Sequence, residues 1–239
     1  MSMHSLSPDF LRSPAPVHPA LWRGADLART AAPGVPSGFP VLDAELPGGG
    51  WPVGSLTEIL RTQEGIGELR ILGPALAALS AQGRHLAWIA PPYSPYAPAL
   101  AAAGIDPGQL FVVRTGNEKE ALWAIEQALR SNACGAVLAW LQSPRYAELR
   151  RLQLAAEGGG RALAVLFRPE KAAAEPSPAV LRIALGAAAG GLAVRIVKRR
   201  GAPLDRLILL PAVAPQRLPE KPPGTAGVRQ APAKISIAC

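Results

Sequence analysis

The sequence predicts an α/β fold: a mainly parallel sheet covered by helices on both faces, a C-terminal antiparallel hairpin, and flexible Pro-rich termini. Three observations predict it. Between residues 56 and 167, short apolar runs alternate with amphipathic stretches, the order that joins parallel strands through helical crossovers. The run Ala136-Val137-Leu138-Ala139-Trp140-Leu141 is apolar throughout, as a strand covered on both faces must be. Beyond residue 180 the pattern changes to period two. Residues 180–185 and 192–197 alternate around Gly186-Ala187-Ala188-Ala189-Gly190-Gly191, which reads as an antiparallel hairpin.

Residues 1–40 form a leader whose prolines (Pro8, Pro14, Pro16, Pro19, Pro33 and Pro36) discourage long regular structure. Within it, residues 19–29 suit a short helix with Leu21, Trp22 and Ala25 on one side. A tryptophan in such an arm gains most by burial, so Trp22 is a docking candidate, on this chain's own core or on a partner. The core spans 41–211. A glycine turn, Pro47-Gly48-Gly49-Gly50, precedes a strand at 56–60. A helix is expected over 66–82, with Leu69, Leu72, Leu76 and Leu79 at helical spacing, a kink at Pro74 and a stop at Gly83. Strands at 86–90 and 110–113 flank a helix at 96–103. Asn117 and Glu120 form a capping box for a helix that buries Leu122, Ile125 and Leu129. Ser143-Pro144 opens a helix running to about residue 156, followed by a strand at 162–167. Residues 207–210 suit one more strand, and 212–239 read as a disordered basic tail.

Composition narrows the function. No apolar run reaches the ~18–20 residues of a membrane span, and the N-terminus lacks a secretory pattern, so a cytoplasmic protein is expected. Cys134 reads as a core residue, Cys239 ends the tail, and His4, His18 and His85 are scattered; no metal site, cofactor or disulfide framework is expected. Net charge is +8 and unevenly placed. From Arg195 onward nine basic residues face only Asp205 and Glu220, which suggests an acidic partner or nucleic acid.

Chemistry is expected to be absent where it would be sought first. After the 56–60 strand comes Arg61-Thr62-Gln63-Glu64-Gly65-Ile66-Gly67-Glu68-Leu69, where a phosphate loop would end in Gly-Lys-Ser/Thr. Such a loop uses lysine on the phosphates and a hydroxyl on Mg²⁺, and Glu68 and Leu69 supply neither. Two charges ~4 Å apart interact by roughly 4 kcal/mol at an effective dielectric of ~20, so Glu68 turns attraction for phosphate into repulsion.

These segments resemble the RecA superfamily core and, within it, the ImuA proteins, RecA-like accessory factors of bacterial damage-induced mutagenesis. Leu46-Pro47-Gly48-Gly49-Gly50-Trp51-Pro52, Leu56-Thr57-Glu58-Ile59-Leu60 and Gly65-Ile66-Gly67-Glu68-Leu69-Arg70 carry the resemblance. Leu76-Ala77-Ala78-Leu79, Trp88-Ile89-Ala90-Pro91-Pro92 and Leu166-Phe167-Arg168-Pro169 extend it, and Leu21-Trp22-Arg23 matches the leader. It covers about residues 19–211. On a RecA-type frame the lysine and hydroxyl fall on Glu68 and Leu69, the catalytic glutamate on Pro92 and the Mg²⁺-linked aspartate on Trp140. The resemblance therefore implies a non-catalytic adaptor. Its partners would be RecA, an inactive Y-family polymerase relative and an error-prone replicative-type polymerase, with nucleoid association on damage.

It also places two candidate DNA-facing loops. Arg145, Arg150 and Arg151 follow the strand ending at Trp140 but suit a solvated helix face better. Arg168 opens the second, residues 168–178, whose charges nearly cancel. Lys198-Arg199-Arg200 is the densest basic cluster and the best candidate for non-specific DNA or an acidic partner face. Trp51, Trp88 and Trp140 read as packing residues rather than base-stacking platforms. The rival family is the SulA-type division inhibitor, which residues 56–169 suit equally. SulA proteins end near the equivalent of Pro169, whereas this chain continues into the hairpin and the basic tail.

Overall fold

The computed structural model describes residues 32–204 and 206–211. Eight strands form one sheet: β1 (Ser55–Arg61), β2 (His85–Ile89), β3 (Leu110–Val113), β4 (Cys134–Trp140), β5 (Leu163–Pro169), β6 (Leu181–Ala188), β7 (Gly191–Lys198) and β8 (Leu207–Pro211). Their order is β3-β2-β4-β5-β1-β6-β7-β8. β1 to β6 pair in parallel, while β7 and β8 return antiparallel. The alternating mixed α/β architecture expected from sequence is present, with the antiparallel hairpin at its C-terminal side.

Strands β1 and β4 are buried along their whole length. Alternation of side chains then divides the core between two faces. Ile59, Leu138, Trp140, Val165 and Phe167 lie on one face, in the same core as residues of α1 (Pro40–Asp43), α2 (Gly73–Ala81) and α3 (Ala97–Ala102). Leu56, Val137, Ala139 and Leu166 lie on the other, packed with α4 (Glu118–Arg130) and α5 (Tyr146–Gly158). Asn117 caps α4 as expected, Glu120 donating its backbone N–H to Asn117 Oδ1 at 3.0 Å; the reciprocal half differs, because Glu120 Oε2 accepts from the Gly116 N–H at 2.8 Å instead of from the Asn117 N–H.

Two expectations need correction. The helix expected over 66–82 is only α2, beginning at Gly73. Gly65 (φ 75°) and Gly67 (φ 112°) adopt left-handed backbone that no α-helix accommodates. Pro74 stands in the first turn, where its missing donor costs nothing, so it starts the helix instead of kinking it. Leu69 and Leu72 still reach the core from the turns between β1 and α2. Likewise, the hairpin strands run to Ala188 and from Gly191, leaving a two-residue turn at Ala189-Gly190 with Gly190 at φ 75°.

The described end of the leader is part of the core. Val35 and Trp51 exchange backbone hydrogen bonds of 2.9 and 2.7 Å, and Trp51 is completely buried. The two segments pass so closely that a Cβ on Gly50 would stand 2.4 Å from the Val35 carbonyl oxygen, which explains the glycine at that position. No helix among the described residues is long and apolar enough to cross a membrane.

Candidate functional site

The parallel register brings the C-terminal ends of β1, β5 and β4 to one edge of the sheet: Arg61 pairs with Pro169, and Trp140 with Phe167. In open α/β sheets this edge is where ligands bind. Here two backbone amides of the turn after β1 are already occupied. The Glu68 side chain folds back over the turn: its Oε1 accepts from the Gly65 N–H and its Oε2 from the Gly67 N–H, both at 3.1 Å. Backbone amides in such turns form concavities that hold anions. The carboxylate is itself the anion, and Glu68 is 95% buried in this position, with 5% of its surface exposed. No helix N-terminus aids the turn, because α2 begins only at Gly73. Leu69 is half-buried against the core.

The other two positions singled out from sequence, Pro92 and Trp140, sit in different surroundings. Pro92 is exposed in the loop after β2. Trp140 closes β4 with its ring stacked on Phe167, centroids 4.7 Å apart, and tilted against Trp88 at 5.8 Å. An aromatic row therefore closes this end of β4. Among the described residues no group of three or more His, Cys, Asp or Glu side chains could hold a metal ion. Cys134 is buried and unbridged, its thiol pushed up by that burial.

Arg168 corrects the sequence reading. It was expected to open a DNA-facing loop, yet it is fully buried. Its guanidinium donates to Glu58 at 3.2 Å and to Glu175 at 2.7 Å. Glu58, also fully buried, accepts from Arg182 at 2.7 Å and from the Ser177 hydroxyl at 2.7 Å. Arg182 then donates to the carbonyls of Ala172, Ala173 and Glu175 at 2.6, 3.3 and 3.0 Å. The network ties the 170–177 segment down onto β1, β5 and β6. A carboxylate between two guanidiniums would be costly to bury unpaired; here two carboxylates balance the two guanidiniums, and the Arg168 Nε is the donor left without a partner.

Sequence reasoning missed Glu58, Glu175, Ser177 and Arg182. A signal existed: Glu58, Arg168 and Arg182 each interrupt an apolar strand, and charges buried in strands need partners.

The basic cluster is divided in role. Lys198 is exposed and donates to the Ser177 carbonyl at 2.8 Å; burial of its stem, then repulsion by Arg182, push its amine down. Arg199 is a brace: it donates to the Glu45 carboxylate at 2.8 Å and to the Glu45 and Ala202 carbonyls at 2.6 and 2.8 Å. Arg206 joins it on Glu45, and these two partners hold the Glu45 carboxyl below its ordinary range. Arg200 is exposed beside a cavity of about 130 Å³ also lined by Gln153 and Glu157. On α5 and at its start, Arg145 pairs with Glu148 and Arg151 with Glu126, while Arg150 points to solvent. Trp22 lies outside the described residues, as do most of the leader and the tail after residue 211.

Comparison with known proteins adds two relatives. Residues 54–163 match the family described as cell division inhibitor SulA. The chain is 37% identical over 112 residues to the cell division inhibitor SulA of Edwardsiella piscicida, covering 46% of this chain and 66% of that protein. It is 32% identical over 145 residues to the protein ImuA of Caulobacter vibrioides, covering 59% of each. The chain thus spans less than two thirds of the length of these relatives. The crystal structure of SulA from Pseudomonas aeruginosa is 28% identical, with a TM-score of 0.40, over 47% of this chain and 97% of that one. The SulA match ends at the start of β5. Strands β6 to β8, most of β5 and the buried ion network's arginines lie beyond it.

Proposed function

We propose that the protein is a non-catalytic, RecA-like adaptor of SOS-induced, error-prone translesion synthesis, linking RecA to a mutagenic polymerase assembly. The observation that carries this reading is Glu68. A phosphate entering the turn would have to displace a carboxylate from the Gly65 and Gly67 amides and then remain beside it. The likeness to ImuA supports the adaptor role. A mainly parallel sheet ending in an antiparallel hairpin supports a RecA-like core. Partners, as the family reading has them, are RecA, an inactive Y-family polymerase relative and an error-prone replicative-type polymerase.

Two measurements test it. Purified full-length protein should show no Mg²⁺-dependent ATP turnover above a Glu68→Ala control. Glu68→Lys should create none, since Leu69, Pro92 and Trp140 still lack the hydroxyl, base and metal ligand. Turnover by the wild-type chain would remove the adaptor reading. In cells, deletion should reduce the mutation frequency after ultraviolet damage to that of a strain lacking the partner polymerase.

A second reading has its own observation. The match of residues 54–163 to SulA favours a division inhibitor. Under that reading, deletion leaves mutagenesis unchanged and overexpression makes cells filament.

A further inference from the structure

β8 ends the sheet: among the described residues no strand pairs with its outer side. Alternation buries Ile208 and Leu210 against the core and turns Leu207 and Leu209 outward, 60% and 65% exposed. The outward pair stands on the face that carries α4 and α5 farther along the sheet, beyond the reach of those helices. Their cross-strand neighbours on β7 are Arg195 beside Leu207 and Ala193 beside Leu209. An uncovered strand edge with large apolar side chains is the arrangement that folded proteins avoid, by charges, bulges or a cover, unless it is used. A groove of about 710 Å³ adjoins it, its walls including Arg195, Val197, Lys198, Arg206 and Leu207.

Charge selects the occupant. Arg195 is exposed without a carboxylate partner among the described residues, and Lys198 donates to a carbonyl and feels the buried Glu58 only through space. Arg199 and Arg206 share the single Glu45. The chain's own tail is disfavoured, since residues 212–239 carry Arg217, Lys221, Arg229 and Lys234 against Glu220. A second copy would oppose the same cations to themselves. Nucleic acid would satisfy the cations but make no use of two leucines or of unpaired strand amides.

We propose that β8 is a docking edge for an extended acidic peptide of a partner protein, which adds a strand to the sheet. Its backbone pairs with β8, alternate apolar side chains cover Leu207 and Leu209, and its carboxylates meet Arg195, Lys198 and Arg206. The site stands whether the adaptor or the division-inhibitor reading is correct, because it rests on β7, β8 and the residues that join them.

The test uses the full-length chain and a labelled octapeptide alternating leucine with aspartate or glutamate. Fluorescence anisotropy should show saturable binding. Leu207→Ser with Leu209→Ser, and separately Arg195→Glu, should each weaken it by about tenfold or more. The same peptide N-methylated on the amides of one edge should lose binding, which a merely electrostatic attachment would not. Circular dichroism and thermal unfolding confirm that the variants fold. Four results overturn the proposal: absence of saturable binding, binding unchanged in both variants, N-methylation without effect, or preference of the same residues for a labelled single-stranded DNA. Strong hydrogen-exchange protection of the Leu207 and Leu209 amides in the isolated chain would also overturn it, because the edge would then be covered by its own tail or a second copy.

Discussion

Replacing Glu58 by alanine should destabilise the protein by about 3–5 kcal/mol, measured by urea unfolding. Removing one partner of a buried ion network leaves the other charges desolvated and uncompensated. Two guanidiniums would be stranded together, Arg168 with no exposed surface and Arg182 with 4%. Glu175, about half exposed, can neutralise Arg168 only in part. The 170–177 segment should loosen with the network, because Ser177 and the carbonyls held by Arg182 lose their anchor. Protease cleavage there should rise along with the loss of stability. A companion variant separates charge from packing. Glu58→Leu with Arg168→Met and Arg182→Met removes every stranded charge and should recover much of the loss. A cost below about 1 kcal/mol for Glu58→Ala would mean that water relieves the buried charges.

Trp140→Asp should also be severe, at about 4 kcal/mol or more by thermal or urea unfolding. On the proposed RecA-like frame, an aspartate would stand at this position. The site would reject it. The ring stacked on Phe167 and tilted against Trp88 fills space on the core face, and an aspartate would replace it with a cavity and a carboxylate. Mg²⁺ should not rescue the variant, as Glu68 has already taken the turn's amides. A stable variant whose unfolding temperature rises with Mg²⁺ and ADP would show a phosphate site that is only dormant.

Much of the fold was legible because it follows from local rules. The strand at Leu110–Val113 could be read from its apolar run, and the Asn117 cap from the spacing of Asn117 and Glu120. The helix expected over 66–82 was not, since leucines at helical spacing also reach a core from successive turns. Two left-handed glycines and Pro74 decided between those outcomes. At the candidate site, the residue types on which the proposed non-catalytic reading rests, Glu68, Leu69, Pro92 and Trp140, were visible in the sequence. That Glu68 also occupies the turn was not visible, because side-chain direction depends on the backbone path. Arg168 was misread for a related reason: a charge at a strand end looks exposed until its partners are known.

The sequence by itself determined the alternation of elements, the acidic residue in the turn after β1 and the concentration of positive charge toward the C-terminus. These depend on residue type and near-neighbour spacing, which a chain carries before it folds. Only the tertiary structure decided which charges are structural and which remain available. Glu58 reaches Arg168 and Arg182 across 110 and 124 residues, and Arg199 reaches Glu45 across 154. Burial converts those charges into internal bonds. The outward leucines of β8 are left on a sheet edge, with Arg195 beside them on β7, because the order of strands ends there among the described residues. Contact between distant residues is set by strand order and register, which no local pattern encodes.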